Sequence, residues 1–189
     1  MSENIQNPVA VDPWDLQKKL MTISAQSTPD SYQLNNDALM YSALIMEESS
    51  ELYQGLSDAL ENYTSNTEGQ ADLSSINKLM LEAALFNHNI STAIRGIIKQ
   101  MAPVVIPLTI DTVREIADGT TDIQVVNSGF SIATGLPGAR LYKEVVVSNL
   151  SKANPETGII DKEPDGKWIK GSEFVKPDIA NVLYGYESP

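Results

Sequence analysis

Apolar residues that recur every three or four positions are the strongest constraint on how this chain folds. The clearest run starts after Asn36 or Asp37 and reaches about Tyr63, with the apolar residues Leu39, Met40, Ala43, Met46, Leu52, Leu56 and Leu60. A period near 3.6 residues places these side chains on one helix face, and Asn or Asp is a favoured N-cap. The pattern therefore predicts one long amphipathic helix.

The same reasoning predicts four further helices and an all-α fold. They begin at Asp12-Pro13, at Asp72 or Ser74, at Thr109 or Asp111, and at Gly138 after Pro137, and they end near Ser24, Met101, Gly135 and Leu150. Pro suits the first turn of a helix, and a glycine within one, here Gly119, permits a kink. We expect a helical bundle of about five helices, followed by an irregular extended C-terminal segment.

The length of 189 residues suits a single domain, which we expect to span residues 1–189. Within it, residues 1–11 are polar and predict a flexible arm. Residues 153–189 are rich in Pro, Gly, Asp and Lys and predict the irregular segment, with a tight hairpin at Asp165-Gly166.

Composition excludes several classes of site and partner. The chain has no cysteine and one histidine, His88, so thiolate metal sites and sites with two imidazoles are excluded. A net charge of −12 argues against binding a nucleic acid polymer through a basic surface. No apolar run approaches the ~18 residues of a membrane span, and the N-terminus does not resemble a signal peptide. We expect no membrane association and a cytoplasmic location.

A first acidic cluster lies inside the longest predicted helix. Glu47, Glu48 and Glu51 have the spacing that places carboxylates on one helix face, with Glu48 and Glu51 about 60° apart. Like charges at this spacing destabilise an isolated helix, and a hard divalent metal would relieve the repulsion. The alternative is a solvated acidic face.

A second acidic cluster lies in the predicted helix after Thr109. Glu115 and Asp118 are three residues apart, and Asp122 follows one turn later. Acids in a first turn can simply complement the positive helix end, which explains Asp111 and Glu115 but not Asp118 or Asp122. If this helix faces the first cluster, the two would form an oxygen-ligand site for a metal ion.

A third group of residues is basic and polar. It contains Asn149, Ser151, Lys152, Lys167 and Lys170, which are donors that suit phosphate oxygens. Alternatively, Asn149 and Ser151 end a helix and the lysines only increase solubility.

These segments together resemble the all-α NTP pyrophosphohydrolase superfamily, which includes MazG, phosphoribosyl-ATP pyrophosphohydrolase and the all-α dUTPases. The resemblance rests on Glu47-Glu48-Ser49-Ser50-Glu51, Glu115-Ile116-Ala117-Asp118, Ser148-Asn149-Leu150-Ser151-Lys152 and Asp165-Gly166-Lys167-Trp168-Ile169-Lys170-Gly171. It extends over roughly residues 37–178 and is strongest for the MazG-like enzymes of bacteria and phages, which include dATP/dGTP diphosphohydrolases and the MazZ group.

The resemblance implies a MazG-like bundle that hydrolyses a nucleoside triphosphate to a monophosphate and pyrophosphate. It implies Mg²⁺, or Mn²⁺, held by Glu48, Glu51, Glu115 and Asp118. Glu47 and Glu48 would be catalytic, with Glu47 as a further ligand or as the base that orients water. Asn149, Lys152, Lys167 and Lys170 would bind the substrate.

The resemblance also implies a substrate and an assembly. The substrate would be a deoxypurine triphosphate such as dGTP or dATP, with dGTP or GTP in a MazZ-like enzyme. Family members commonly pair, so a homodimer or homotetramer is expected, in the host cytoplasm for a phage-encoded enzyme. The alternatives are a hydrolase for another phosphoanhydride, such as phosphoribosyl-ATP, and a non-catalytic helical interaction or regulatory protein.

One spacing departs from the family pattern. Glu51 and Glu115 are further apart than the two motifs are in compact members, so the helix predicted from Asp72 to Met101 would be an insertion or an additional bundle member. Glu82-Ala83-Ala84-Leu85 lies nearer but lacks the second acid. We therefore assign the second motif to Glu115 and Asp118.

Overall fold

A computed structural model describes residues 12–26, 29–65, 71–162 and 168–185. The elements in these residues are α1 (Pro13–Ile23), β1 (Gln33–Asn35), α2 (Asn36–Thr64), α3 (Ala71–Ile98), β2 (Val105–Pro107), α4 (Ile110–Ala133), α5 (Gly138–Leu150) and α6 (Ile179–Tyr184). The protein is all-α apart from the two short strands. It divides into two compact units, one of Tyr32–Pro107 and the other of Met1–Ser31 with Leu108–Pro189.

The first unit is an antiparallel pair of long helices, α2 and α3, closed at one end by a two-stranded sheet. Small residues allow the two helices to approach closely: Ala43, Ser57, Ala84 and Ser91 are all buried. The hydroxyl group of Ser57 donates to the side-chain oxygen of Asn77, which joins the helices near their connection.

Side chains at the start of α2 fix the sheet end of this unit. The N-cap of α2 is Asn35, one residue before the predicted Asn36 or Asp37, and its side chain accepts a hydrogen bond from the amide of Ala38. Asn36 Oδ1 accepts from the amide of Val104, directly before β2, at 2.8 Å. Leu34 pairs with Ile106 in the sheet register. The long helix therefore starts from a defined point.

The second unit is organised around α5, which packs against α1, α4 and α6. Caps predicted from the sequence are formed: Asp12 accepts from the amide of Trp14, and Thr109 accepts from the amide of Thr112. The apolar core is small, with Leu20, Val146 and Ile160 buried.

The C-terminal segment is held to this unit by hydrogen bonds of its backbone to backbone and side-chain groups. The amide of Ile160 donates to the carbonyl of Ile23 at 2.7 Å. Further along, Ser148 Oγ donates to the carbonyl of Val175 at 2.8 Å. The amide of Asp178 donates to the carboxylate of Glu144 at 2.8 Å, just before α6. The described part of the segment is thus irregular but ordered against α5.

The all-α prediction and its five helices are confirmed, and the helix ends agree within a few residues. Two additions were not predicted, the strands and α6. The predicted arm of residues 1–11, the predicted hairpin at Asp165-Gly166 and Lys167 lie outside the described residues. Lys162 and Trp168 form an isolated antiparallel bridge. The single-domain assignment stays a prediction. None of the described helices is long and apolar enough to cross a membrane.

Candidate active site

The first acidic cluster lies in the middle of α2, on the helix that packs against α3. Glu47, Glu48 and Glu51 follow one another around adjacent turns, as their spacing predicts. Glu47 is half-buried, whereas Glu48 and Glu51 are exposed as whole residues. The side chain of Glu47 is therefore partly covered by protein, whereas Glu48 and Glu51 are accessible to water.

The carboxyl group of Glu48 is the most perturbed of the three. Partial burial is the main cause that raises its pKa, and the negative charges of Glu51 and Glu47 raise it further. Although the residue is exposed overall, protein surrounds enough of the carboxyl group to weaken its solvation. Three carboxylates thus share one region, and a cation there would lower the pKa of Glu48 again.

Arg95 of α3 forms an ion pair with Glu47 that the sequence did not reveal. Its Nη1 lies 2.6 Å from Glu47 Oε2, and both side chains are about one-third exposed, at 33% and 34%. The only sequence signal is an isolated arginine in the largely apolar end of α3. Glu47 therefore differs from its neighbours, because its charge already has a partner.

A hydrogen bond identifies the turn of α3 that lies beside the acidic cluster. Ser50 Oγ donates to the carbonyl of Ala84 at 2.9 Å, so this turn lies directly against the cluster. The acid in this part of α3, Glu82, is exposed and 4.0 Å from Lys78. Sequence reasoning set Glu82 aside for lack of a second acid, and no hydrogen bond or ion pair connects it to the carboxylates of α2 among the described residues.

The second acidic cluster lies on α4, in the other compact unit. Glu115, Asp118 and Asp122 are all exposed. Asp111, in the first turn, pairs with Arg114 at 3.2 Å. Among the residues that the structure describes, no three or more Asp, Glu or His side chains form a group that could hold a metal ion. A joint metal site of the two clusters stays a prediction.

The structure brings three of the four predicted phosphate-binding residues together. Lys152 Nζ donates to Asn149 Oδ1 at 2.7 Å, just beyond the end of α5. Lys152 also lies over the ring of Trp168, 5.4 Å from its centroid. Both lysines lie over the ring of Phe174, with Lys152 Nζ 6.0 Å and Lys170 Nζ 4.8 Å from its centroid. The fourth residue, Lys167, is outside the described residues.

These two ammonium groups lack an acidic counterpart in the described part of the chain, where neither makes an ion pair. Burial is the main cause that lowers the pKa of Lys152, and the charge of Lys170 lowers it further. Aromatic rings stabilise a cation only in part. In a chain of net charge −12, this lysine cluster is therefore a local concentration of positive charge.

Gly171 allows the lysine cluster to form. Its amide donates to the carbonyl of Lys152 at 3.1 Å. A Cβ atom at this position would lie 2.6 Å from the carbonyl oxygen of Ala153, closer than two such atoms can approach. The glycine thus brings the Trp168–Phe174 stretch against the end of α5.

Ser151 has the structural role that was the alternative to phosphate binding, since it lies at the end of α5. Its hydroxyl group forms hydrogen bonds only with backbone groups, those of Ser148 and Val175.

Comparisons with known proteins support the fold and leave the activity open. No protein-family model and no curated protein matches the sequence. The structure is similar to a crystal structure of a "putative NTP pyrophosphohydrolase" from Exiguobacterium sp. 255-15, with a TM-score of 0.56 and 16% sequence identity. The match covers 91% of this chain and 94% of the other. At this identity the likeness establishes a common fold.

Proposed function

We propose that this protein is a metal-dependent nucleoside triphosphate pyrophosphohydrolase. It would convert a (d)NTP and water to the (d)NMP and pyrophosphate, with a deoxypurine triphosphate such as dGTP or dATP as substrate. One observation carries the proposal: three carboxylates lie together on adjacent turns of α2, where partial burial and, next, the charges of Glu51 and Glu47 raise the pKa of Glu48. The name of the protein that shares the fold, an NTP pyrophosphohydrolase, points to the same class.

The donor chemistry of the α2 cluster suits Mg²⁺ or Mn²⁺. All of its ligand atoms are carboxylate oxygens, and hard divalent cations prefer oxygen ligands. We assign Glu48 and Glu51 as ligands, with Glu115 and Asp118 completing the set. The bound ion would supply positive charge to the phosphate oxygens and to the leaving pyrophosphate.

Glu47 would orient and deprotonate the attacking water. Its ion pair with Arg95 restricts the rotation of the carboxylate. A base must hold its geometry to be effective, and a fixed carboxylate next to the ligands provides this. Arg95 is therefore a positioning residue for Glu47.

The lysine cluster would bind the phosphate chain of the substrate. Lys152 and Lys170 provide two ammonium groups that form no ion pair within the described residues, and Asn149 accepts a hydrogen bond from the first of them. A polyphosphate would relieve the repulsion between the lysines and favour the charged form of Lys152. We include Lys167 in the same role. The substrate-bound enzyme would be a homodimer or homotetramer in the cytoplasm.

The proposal is tested by incubating the protein with a panel of NTPs and dNTPs and Mg²⁺ and resolving the products by chromatography. Nucleoside monophosphate and pyrophosphate, from purine deoxynucleotides first, are expected. Diphosphate and phosphate would contradict the cleavage position. No turnover of any nucleotide, or of phosphoribosyl-ATP, would favour the non-catalytic helical protein instead.

A further inference from the structure

Helix α3 carries a buried hydroxyl group that has no hydrogen-bond partner within the described residues. Ser91 is only 2% exposed, and in the described part of the chain its Oγ is the single buried side-chain nitrogen or oxygen atom without a partner. Other serines between α2 and α3 are satisfied, since Ser57 donates to Asn77 and Ser50 to the carbonyl of Ala84. Buried polar groups are almost always paired, because an unpaired one destabilises the fold. A partner for Ser91 is therefore expected.

The register of the two helices shows what lies opposite Ser91. From the hydrogen bond of Ser57 to that of Ser50, the contact moves seven residues back along α2 and seven residues forward along α3. One further step of the same length sets Ala43 against Ser91, and Ala43 is completely buried. The methyl group of Ala43 cannot form a hydrogen bond. Two small side chains thus meet at this level, and one of them is polar.

The ion pair of Glu47 and Arg95 lies at the same level of the helix pair. Arg95 follows Ser91 by one turn of α3, and Glu47 follows Ala43 by one turn of α2. Long side chains on a helix point back towards its N-terminus, so Arg95 extends over Ser91 and Glu47 extends over Ala43. Their contact, 2.6 Å between Nη1 and Oε2, therefore closes over the level at which Ala43 and Ser91 meet.

We propose that α2 and α3 bind one internal water molecule between Ser91 and the Glu47–Arg95 ion pair. A buried water typically forms about three hydrogen bonds with polar groups that would otherwise be unsatisfied. Three groups are available here: the hydroxyl group of Ser91, an N–H of the Arg95 guanidinium and an oxygen of the Glu47 carboxylate. The small side chains of Ala43 and Ser91 suit a site of this size. The water satisfies Ser91 and connects it to the ion pair.

This connection makes Ser91 a positioning residue for Glu47. Arg95 holds the carboxylate at Oε2, and the water holds it from the interior of the helix pair. Two hydrogen bonds from different directions restrict the rotation of a carboxylate more than one does, and a base must keep its orientation to be effective. The role rests on the proposed function, in which Glu47 is the base. Ser91 itself touches no substrate.

The sign of the stability change in Ser91→Ala tests the water. If Ser91 binds it, the variant loses a hydrogen bond, and the midpoint of urea denaturation should fall by about 0.5 M. If the hydroxyl group is merely unpaired, or bonds only to its own helix, the midpoint should stay unchanged or rise, because alanine favours a helix more than serine does. An unchanged or raised midpoint would overturn the proposal.

A double-mutant cycle tests the connection to the ion pair. Arg95→Met keeps a long side chain without N–H groups, so Ser91→Ala should lower the midpoint less in that background than in the wild type. Ser57→Ala is the matched control, because Ser57 is a buried serine of the same helix pair with a partner of its own, Asn77. It should lower the midpoint equally in both backgrounds. Equal losses from Ser91→Ala in the two backgrounds would overturn the link between Ser91 and Arg95.

A high-resolution crystal structure of the full-length protein shows the water directly. One water molecule is expected within hydrogen-bond distance of Ser91 Oγ and of the Glu47–Arg95 pair. A Ser91 hydroxyl group bonded to the carbonyl of Asn87, one turn earlier in α3, with no water beside it, would overturn the proposal. Neither this measurement nor urea denaturation needs a nucleotide, so both decide on the water whether or not the protein has the proposed activity.

Steady-state kinetics tests the positioning role. Ser91→Ala should lower kcat about threefold or more and leave KM unchanged, because a displaced base slows the chemical step without weakening substrate binding. Ser57→Ala should leave both parameters unchanged. If the wild-type protein hydrolyses a nucleotide and Ser91→Ala retains its full kcat, the positioning role is wrong. A wild-type protein without turnover would contradict the proposed function, and with it the positioning role, but not the water.

Discussion

Arg95 Nη1 lies 2.6 Å from Glu47 Oε2, and this ion pair joins α3 to the acidic cluster of α2. The pair divides the three carboxylates into two kinds. Glu47 has a cationic partner within the protein, whereas the pKa of Glu48 is raised by partial burial and, next, by the charges of Glu51 and Glu47. A carboxylate held by an ion pair suits a base, and one surrounded by like charges suits a cation.

Replacing Arg95 by Gln should destabilise the protein and disturb the cluster. Half-buried Glu47 would lose its partner and repel Glu48, at a cost of about 1 kcal/mol in the free energy of unfolding, since solvent screens part of the interaction. Urea denaturation measures the change. Lys78→Gln removes an exposed pair at 4.0 Å and should change stability by less than about 0.5 kcal/mol. Equal losses from both variants would contradict the role of Arg95.

Replacing Glu48 by Gln should raise the melting temperature of the metal-free protein at neutral pH. Each like-charge pair on a helix costs about 0.2–0.5 kcal/mol, so we expect a rise of about 1–2 °C. Asp58→Asn, further along α2 and away from the cluster, is the control and should leave the temperature nearly unchanged. Adding Mg²⁺ should stabilise the wild type more than Glu48→Gln.

The pH dependence of this effect has a defined sign. The pKa of Glu48 is raised in the folded protein above its ordinary value of 4.5. The folded chain therefore binds more protons than the unfolded chain between the two pKa values, and stability from this group falls as pH rises through the folded pKa. The higher melting temperature of Glu48→Gln relative to the wild type should be present at pH 7 and absent below pH 4.5, as measured by thermal melts of both proteins. An advantage that grew on acidification would have the wrong sign.

Replacing Lys152 by Gln should weaken substrate binding more than it slows chemistry. Loss of one ammonium contact to a phosphate should raise KM about tenfold or more, with a smaller change in kcat. Lys143→Gln is the control, because Lys143 is exposed on α5 and lies outside the lysine cluster. Steady-state kinetics with the best nucleotide of the panel separates the two parameters. An unchanged KM for Lys152→Gln would remove this residue from the substrate site.

Two glycine-to-alanine substitutions should have opposite signs. Gly171→Ala forces a Cβ to within 2.6 Å of a carbonyl oxygen, so about 1–3 kcal/mol of stability should be lost as the segment shifts. Gly96→Ala, inside α3, meets nothing within 4 Å and should gain about 0.5–1 kcal/mol of helix propensity. Urea denaturation of both variants checks the pair, and stabilisation by Gly171→Ala would contradict the close approach at the lysine cluster.

The helices were predictable because their signals are local. Asp12 and Thr109 cap two of the helices that the apolar periodicity predicts, and Asn35, one residue before the predicted Asn36, caps α2. Val145-Val146-Val147 has strand propensity alone, yet lies in α5 as its surroundings indicate. The six-residue α6 was missed because it lies in a stretch rich in Pro and Gly, where its cap, Asp178, was the only signal. Strands of three residues leave too little pattern to detect.

The acidic residues of the candidate site were predictable from the sequence, whereas the residues that contact them were not. Spacing alone placed Glu47, Glu48 and Glu51 on one face. It could not reveal Arg95, which is 48 residues from Glu47 and becomes its neighbour only because α3 packs against α2. The contact of two lysines with the ring of Phe174 likewise depends on the path of an irregular segment that has no periodic signal.

Pyrophosphate release from dGTP in the presence of Mg²⁺ tests the central claim most directly. Wild-type protein and Asp58→Asn should release pyrophosphate and dGMP at similar rates, whereas Glu48→Gln should lose about a hundredfold or more of the rate while remaining folded by circular dichroism. A wild-type protein that turned over none of the nucleotides, or a Glu48→Gln variant with full activity, would contradict a catalytic acidic cluster on α2.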